Sequence, residues 1–366
     1  MQKVSVKNLE PGMIPAYNVY SSDDLVLVHS GIALNEQAIK RLQGLGIHSI
    51  YIKNLLFESL EIPEIVREDL RMSALKTMNT AFSTFSKTQT LDIQPIITLA
   101  NTIVDSMTLK ADAMIHTIDT RTPENYLAGN AVNVCILSTL TGMLLHYNSK
   151  ALRELAVGAL LHDIGFLLTP PDILNKPGKL TAEEMELTRQ HTSNGFEILR
   201  KARELTVPTA HVAYQHHENF DGSGYPRGLK GDEIHEYARI VAITNMYDAL
   251  ISDRAFRKGF LPHEAYEMLM TLAHKYLDSR ILDTFLANVA IYPIGSIVQL
   301  STQELAMVVK VYPRLQSRPV VKLLTDKNGN RTNQPVEVDL AQQLTTFIVK
   351  LLDERETIDF ARRYSA

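Results

Sequence analysis

From about residue 119 to residue 290, apolar residues recur at i, i+3, i+4 and i+7, most clearly over residues 130–145, 152–168, 181–199 and 240–251. That spacing puts one apolar stripe on each of a series of helices and leaves packed helices as the fold for this stretch. The most apolar run, residues 156–168, is interrupted by His162 and Asp163. A single histidine in such a run is ordinarily a core residue with its hydrogen bonds satisfied. Here it is followed by His191, by the pair His216-His217 and by the loop Asp221-Gly222-Ser223-Gly224-Tyr225-Pro226. Histidine and aspartate ligate borderline divalent metals, and an adjacent His-Asp pair can aim an imidazole at one ion while its carboxylate bridges to a second. Two ions about 3.5–4 Å apart activate water and neutralise charge on a phosphodiester under attack. We therefore expect metal ligation by His162, Asp163, His191, His216 and His217, with His162 and Asp163 also in the hydrolytic role. His211 belongs to no motif and is expected to be structural.

Composition narrows the setting. The net charge of -4 excludes a general surface for nucleic-acid polymers or anionic membranes, so any cationic site for a phosphate ligand has to be local. One cysteine, Cys135, excludes an internal disulfide framework. The amino terminus lacks the charged-then-apolar pattern of a secretory signal, and the apolar runs fall short of the ~20 residues that span a bilayer. A cytoplasmic protein without a membrane span is the expectation.

Outside the helical stretch the pattern changes. Residues 1–56 alternate short apolar runs with turn signals and read as a small β-rich α/β module, in which Asn35 caps a short helix ending near Gly44 or Gly46. Residues 57–118 have helical spacing and are expected to link or flank that module, with Met72, Met78, Met107 and Met114 as packing contacts. The helical domain occupies residues 119–290, and within it Thr181 and Glu184 form a capping-box signature. Residues 291–352 return to strand-like runs, and residues 353–366 form a tail. The fold class expected is mainly α, flanked by small modules at both ends.

The segments His162-Asp163-Ile164-Gly165 and Ile173-Leu174-Asn175-Lys176-Pro177-Gly178-Lys179-Leu180-Thr181 closely resemble the HD-GYP family. The likeness continues through His191, His216-His217-Glu218, Gly224-Tyr225-Pro226, Tyr247-Asp248-Ala249-Leu250 and Ser252-Asp253-Arg254. The resemblance implies an all-helical HD-type phosphohydrolase domain, two or three metal ions (commonly iron or manganese) and hydrolysis of the bacterial messenger cyclic-di-GMP. The two end modules look like accessory pieces often attached to this family; a scaffold whose modules dock signalling proteins such as diguanylate cyclases is one alternative, and a homodimer is a further expectation.

Four positions depart from the family pattern. Asn130 stands where the family has a metal-binding histidine, Asn245 where it has a metal-binding aspartate, Phe166 where a lysine follows the His-Asp-Ile-Gly segment, and Tyr126 where three-metal members have a glutamate. Asp248 matches the family's second aspartate and is not a relocated ligand. A neutral amide oxygen is a weaker ligand than an imidazole or carboxylate and balances no metal charge, so one ion is expected in preference to two. The phosphate-binding side keeps more of its chemistry: Gly224, Tyr225 and Pro226 shape the loop, and Lys176, Lys179, Arg227, Arg254 and Arg257 are the expected cations. These residues point to a protein that binds a cyclic dinucleotide with weakened or lost hydrolysis. The alternatives are a working metal-dependent phosphodiesterase and a scaffold for partner proteins.

Overall fold

The computed structural model describes residues 2–20, 26–45, 47, 49–53, 65–107, 125–174, 176, 178–252, 259–332 and 336–365. At the amino end come β1 (Gln2–Ser5), β2 (Ile14–Pro15), β3 (Val19–Tyr20), β4 (Val26–Val28), α1 (Glu36–Gly44) and β5 (Ser49–Lys53). Strand β5 lies between β1 and β2 in an antiparallel sheet, while β3 pairs with β4. Alternation in β5 turns Ile50 and Ile52 inward, where they meet Val4, Val6 and Leu42 of α1. Asn35 caps α1 as its position suggests, its Oδ1 accepting the Ala38 N–H at 2.8 Å.

Helices α2 (Glu68–Thr88) and α3 (Gln94–Ser106) precede the main helical stretch, and they are not a separate connector. Met78, Ile96 and Ile103 are fully buried in the same continuous core as Leu155, Leu160 and Phe285, so the bundle begins near residue 66. Apolar faces on α2 and α3 can be buried only against a neighbour, and here the neighbour is the bundle itself. Met107 is buried and Met72 packs at the edge, while Met114 lies outside the described residues.

The bundle continues with α4 (Tyr126–Leu144), α5 (Ser149–Leu161), a 3-10 segment (Ile164–Leu168), α6 (Pro171–Leu174), α7 (Ala182–Arg189), α8 (His191–Leu199), α9 (Val207–Gln215), α10 (Glu236–Ile251), α11 (Pro262–Leu272) and α12 (Ser279–Leu286). Helix α4 is long and apolar enough to cross a membrane, but 83% of its most apolar window is buried inside the molecule. It is the central helix, enclosed by α2, α3, α5, α10 and α12, which explains why it is apolar on every side. At α7 the Thr181–Glu184 capping box forms: Thr181 Oγ1 accepts the Glu184 N–H at 3.2 Å and Glu184 accepts the Thr181 N–H at 2.7 Å.

A five-stranded antiparallel sheet follows, made from β6 (Ile297–Leu300), β7 (Leu305–Lys310), β8 (Val320–Leu323), β9 (Glu337–Asp339) and β10 (Ile348–Leu351) in the order β10-β6-β7-β8-β9. The carboxy-terminal residues form α13 (Glu354–Ser365), an amphipathic helix that joins the two ends of the chain. Its Phe360 packs with Ile297, Met307 and Leu324 of the sheet, while Ile358 enters the core of the amino-terminal module. Glu354 accepts hydrogen bonds from the Ser5 N–H and, at 2.9 Å, from Asn8 Nδ2, and Arg362 pairs with Glu10. Truncating the buried ring in Phe360→Ala should cost about 3 kcal/mol. Urea denaturation should show that loss, and limited proteolysis should show the amino-terminal module cut faster.

Candidate metal centre

Helix ends place the site. His162 is the residue at which α5 stops and Asp163 begins the next turn; His191 opens α8; His216 ends α9 and His217 follows it. Chain crossings there are very close. A Cβ on Gly165 would lie 1.9 Å from the His191 carbonyl oxygen, so only glycine lets the 3-10 segment bring Asp163 against α8. Gly224 serves the loop in the same way, since a Cβ there would lie 2.2 Å from the Asn219 nitrogen. Glu218 completes the loop from within: its buried carboxylate accepts the Arg227 and Leu229 N–H groups at 2.8 and 3.0 Å.

The three buried imidazoles share one orientation. Nδ1 of His162 lies 2.8 Å from the Ala159 carbonyl oxygen, that of His191 2.7 Å from Thr188, and that of His216 3.1 Å from both Val212 and Ala213. A carbonyl oxygen only accepts, so each Nδ1 carries a proton; in His191 and His216, whose pKa values are lowered, this leaves Nε2 with a lone pair, while His162, whose value is raised, also favours a proton on Nε2, toward Asp163. The three Nε2 atoms converge on Asp163, with His162 Nε2 3.2 Å from Oδ2 and His191 and His216 Nε2 3.4 and 3.2 Å from Oδ1. Neither His162 Nε2 nor Asp163 Oδ1 has a hydrogen-bond partner. Acceptors facing acceptors in a buried space repel unless a cation lies between them. Ligand atoms of Asp163, His191, His216 and His217 all fall within 4.8 Å of one another, so these four residues fit a divalent ion.

Charge and burial agree with that reading. Burial pushes the Asp163 carboxyl up, but His162, His216 and His191 outweigh it and hold the group well below the usual carboxylate range. Burial pulls His191 down to about 4 against the attraction of Asp163, and lowers His216 and His217 as well. His162 goes the other way: burial opposes it, yet Asp163 and then Asp248 favour its proton.

Facing Asp248 the chemistry is different. Asn130 Nδ2 donates to Asn245 Oδ1 at 3.1 Å and to Asp248 Oδ2 at 2.8 Å, and Asn133 Nδ2 donates to Asp248 Oδ1 at 3.1 Å. Arg71 of α2 then donates to Asn133 Oδ1 at 2.6 Å. Amide N–H groups thus occupy the oxygens of Asn245 and Asp248, while Asn130 Oδ1 stays buried without a hydrogen-bond partner. Asn133 and Arg71 were not singled out in the sequence, and nothing local to either residue marks them.

The expected phosphate-binding residues scatter. Lys176 is committed to Glu184, with Nζ 2.8 and 2.6 Å from its two oxygens, so it buttresses the α7 cap. Lys179 and Arg227 are exposed, and the Arg227 charge is felt at His211. Arg254 and Arg257 lie outside the described residues. Pro226 is exposed, and Tyr225 stacks on His217 with ring centroids 4.8 Å apart. Phe166 stacks on His191 at 3.9 Å, giving an apolar face to a metal-binding ring where a lysine would have offered charge. His211 stays apart, with Gln215 and the rings of Phe196 and Tyr214.

These shifts set a pH dependence for metal-free protein. His191, His216 and His217 hold fewer protons folded than unfolded, so their stabilisation is complete above the ordinary histidine value of 6.5 and declines as the pH falls toward about 4. Asp163 keeps its contribution throughout that window, because its folded value lies below 3.8. His162 alone opposes the trend, its raised value contributing stability that is lost as the pH rises. The urea midpoint of the metal-stripped protein should be lower at about pH 5 than at about pH 7. Equal midpoints would contradict neutral imidazoles in the folded site.

Comparison with known proteins agrees with this architecture. Residues 118–281 match the HD domain model, and residues 297–360 match a KOW domain associated with HD domain. A cyclic di-GMP phosphodiesterase of Pseudomonas aeruginosa is 34% identical over 235 residues, covering 64% of this chain and 56% of that protein. The cyclic di-GMP phosphodiesterase PdeB of Borreliella burgdorferi is 30% identical over 243 residues, covering 66% of this chain and 64% of its own. The chain therefore spans less than two thirds of either relative. A solved structure of an HDG"Y"P protein from Bdellovibrio bacteriovorus, 19% identical, shares the fold with a TM-score of 0.50 over 78% of this chain and 98% of that one. This chain belongs to the HD-GYP family, as a helical HD domain followed by a KOW domain.

Proposed function

We propose that this protein binds a cyclic dinucleotide, cyclic-di-GMP by likeness to its relatives, on a single divalent ion, and that its phosphodiesterase activity is weak or lost. Iron or manganese suits the mixed imidazole and carboxylate donors of Asp163, His191, His216 and His217. A bound ion would supply charge to polarise a phosphate oxygen and acidify a water. Around it, Asp163 holds negative charge, the three Nδ1–carbonyl hydrogen bonds hold the rings, and the 222–226 loop bounds the space above His217.

The observation that carries the reading is the Asn130 amide, which donates to both Asn245 and Asp248. An ion placed there would meet N–H groups in place of an imidazole and a carboxylate. With one ion, the attacking and leaving oxygens cannot both be clamped. Losing a cation at position 166 removes a further charge-assisted contact to phosphate, worth about 1.5–3 kcal/mol, which is tenfold or more in rate.

A second reading, an active phosphodiesterase, draws support from the intact four-residue set and from Asn130 Oδ1, a buried oxygen left to act as a neutral ligand. Metal analysis of anaerobically purified protein, with a cyclic-di-GMP hydrolysis assay, separates the two. The proposal expects about one equivalent of metal, tight binding and slow turnover, whereas about two equivalents with ordinary turnover would replace it with the second reading. Restoring the lost ligands in Asn130→His with Asn245→Asp should raise metal content toward about two equivalents, and adding Phe166→Lys should raise turnover at least tenfold. No gain in metal would place the defect in the helix positions instead.

A further inference from the structure

We infer that Arg189 is the side chain that receives a phosphate of the bound dinucleotide, in place of the lysine missing at position 166; this rests on the ligand reading above. Arg189 is the last residue of α7, two positions before His191. Its backbone is held by the same turn that fixes the metal-binding ring: the Thr188 carbonyl faces His191 Nδ1 at 2.7 Å, and the Arg189 carbonyl accepts Thr192 Oγ1 at 3.0 Å. The guanidinium carbon sits 5.1 Å from the centroid of Tyr225, and that ring in turn stacks on His217 at 4.8 Å. A continuous path of contact therefore runs from the proposed ion site through His217 and Tyr225 to a positive charge at the rim.

Arg189 is also uncommitted. It forms no ion pair with a carboxylate among the described residues, in contrast to Lys176, whose Nζ is taken by Glu184. A cation–π contact consumes no acceptor oxygen, so the guanidinium keeps N–H donors for a phosphate, whose oxygens its fork can meet two at a time. A ligand with two phosphates can then place one on the ion and the other on Arg189. Phe166, stacked on His191, offers that ligand an apolar wall, so charge recognition moves from residue 166 to the opposite, Tyr225 side of the histidines.

The test compares Arg189→Ala, Arg189→Gln and Arg189→Lys with the parent protein, each loaded with manganese, by calorimetric titration with cyclic-di-GMP. Metal content and thermal midpoint should match the parent in all three, since Arg189 is exposed and ligates nothing. Arg189→Ala and Arg189→Gln should weaken cyclic-di-GMP binding about tenfold to a hundredfold and flatten its dependence on salt, while Arg189→Lys should recover only part of the loss. Affinities within twofold of a parent that binds the ligand would overturn the role of Arg189 and leave the binding reading standing. A manganese-loaded parent that takes up no cyclic-di-GMP would overturn the binding reading, and the inference with it.

Discussion

A carboxylate enclosed by three imidazoles in a space nearly closed to water is the constraint around which the helical domain is built. Asp163 and the Nε2 atoms of His162, His191 and His216 approach to 3.2–3.4 Å, and the His191 and His216 rings, with their lowered pKa values, present no proton to the carboxylate. Buried acceptors left facing each other are costly, and a divalent ion converts that cost into ligation. The chain reaches this arrangement with backbone devices: helix-end carbonyls that select the tautomer of each ring, and a glycine at 165 that lets two segments nearly touch. The folding of the bundle and the assembly of the site are thus one event.

Beside the Asp163 cluster lies a second polar network, built from amides around Asp248. On the Asp163 side four residues present ligand atoms that fit a divalent ion. Around Asp248 the amides of Asn130 and Asn133 donate to the two carboxylate oxygens, and Arg71 donates to Asn133 from behind. Hydrogen bonds of this kind meet the requirement that buried polar groups be paired without recruiting metal. The two halves meet at His162, whose proton is favoured by Asp163 and by Asp248. Aromatic rings close the site from two sides, because Phe166 stacks on His191 and Tyr225 on His217.

The accessory modules are tied to one another through α13. Its Ile358 and Phe360 belong to different cores, so the helix cannot leave one module without disturbing the other. In the same manner α2 and α3 belong to the bundle's core although the HD domain match begins only at residue 118. Arg71 adds a polar link to the apolar one, since a helix outside that match reaches the polar network beneath the site.

What the sequence determined by itself was everything set by neighbours a few positions apart. Periodicity of 3.6 marked the helices, Asn35 and the Thr181–Glu184 pair marked helix starts, and the motifs marked His162, Asp163, His191, His216 and His217 as candidate ligands, of which the last four come together as one group while His162 stands against Asp163 from the other side. It also exposed Asn130 and Asn245 as substituted positions, because a motif compares residue types place by place. Only the tertiary structure decided which charged side chains were already taken and which remained. Lys176 and Arg189 look alike in sequence, yet one is neutralised by Glu184 and the other rests on Tyr225. Arg71 with Asn133, and α13 with the first strand, join positions far apart in the chain. No local pattern encodes such pairs, since they arise from the packing of whole helices, and packing is settled by the shape of the entire core.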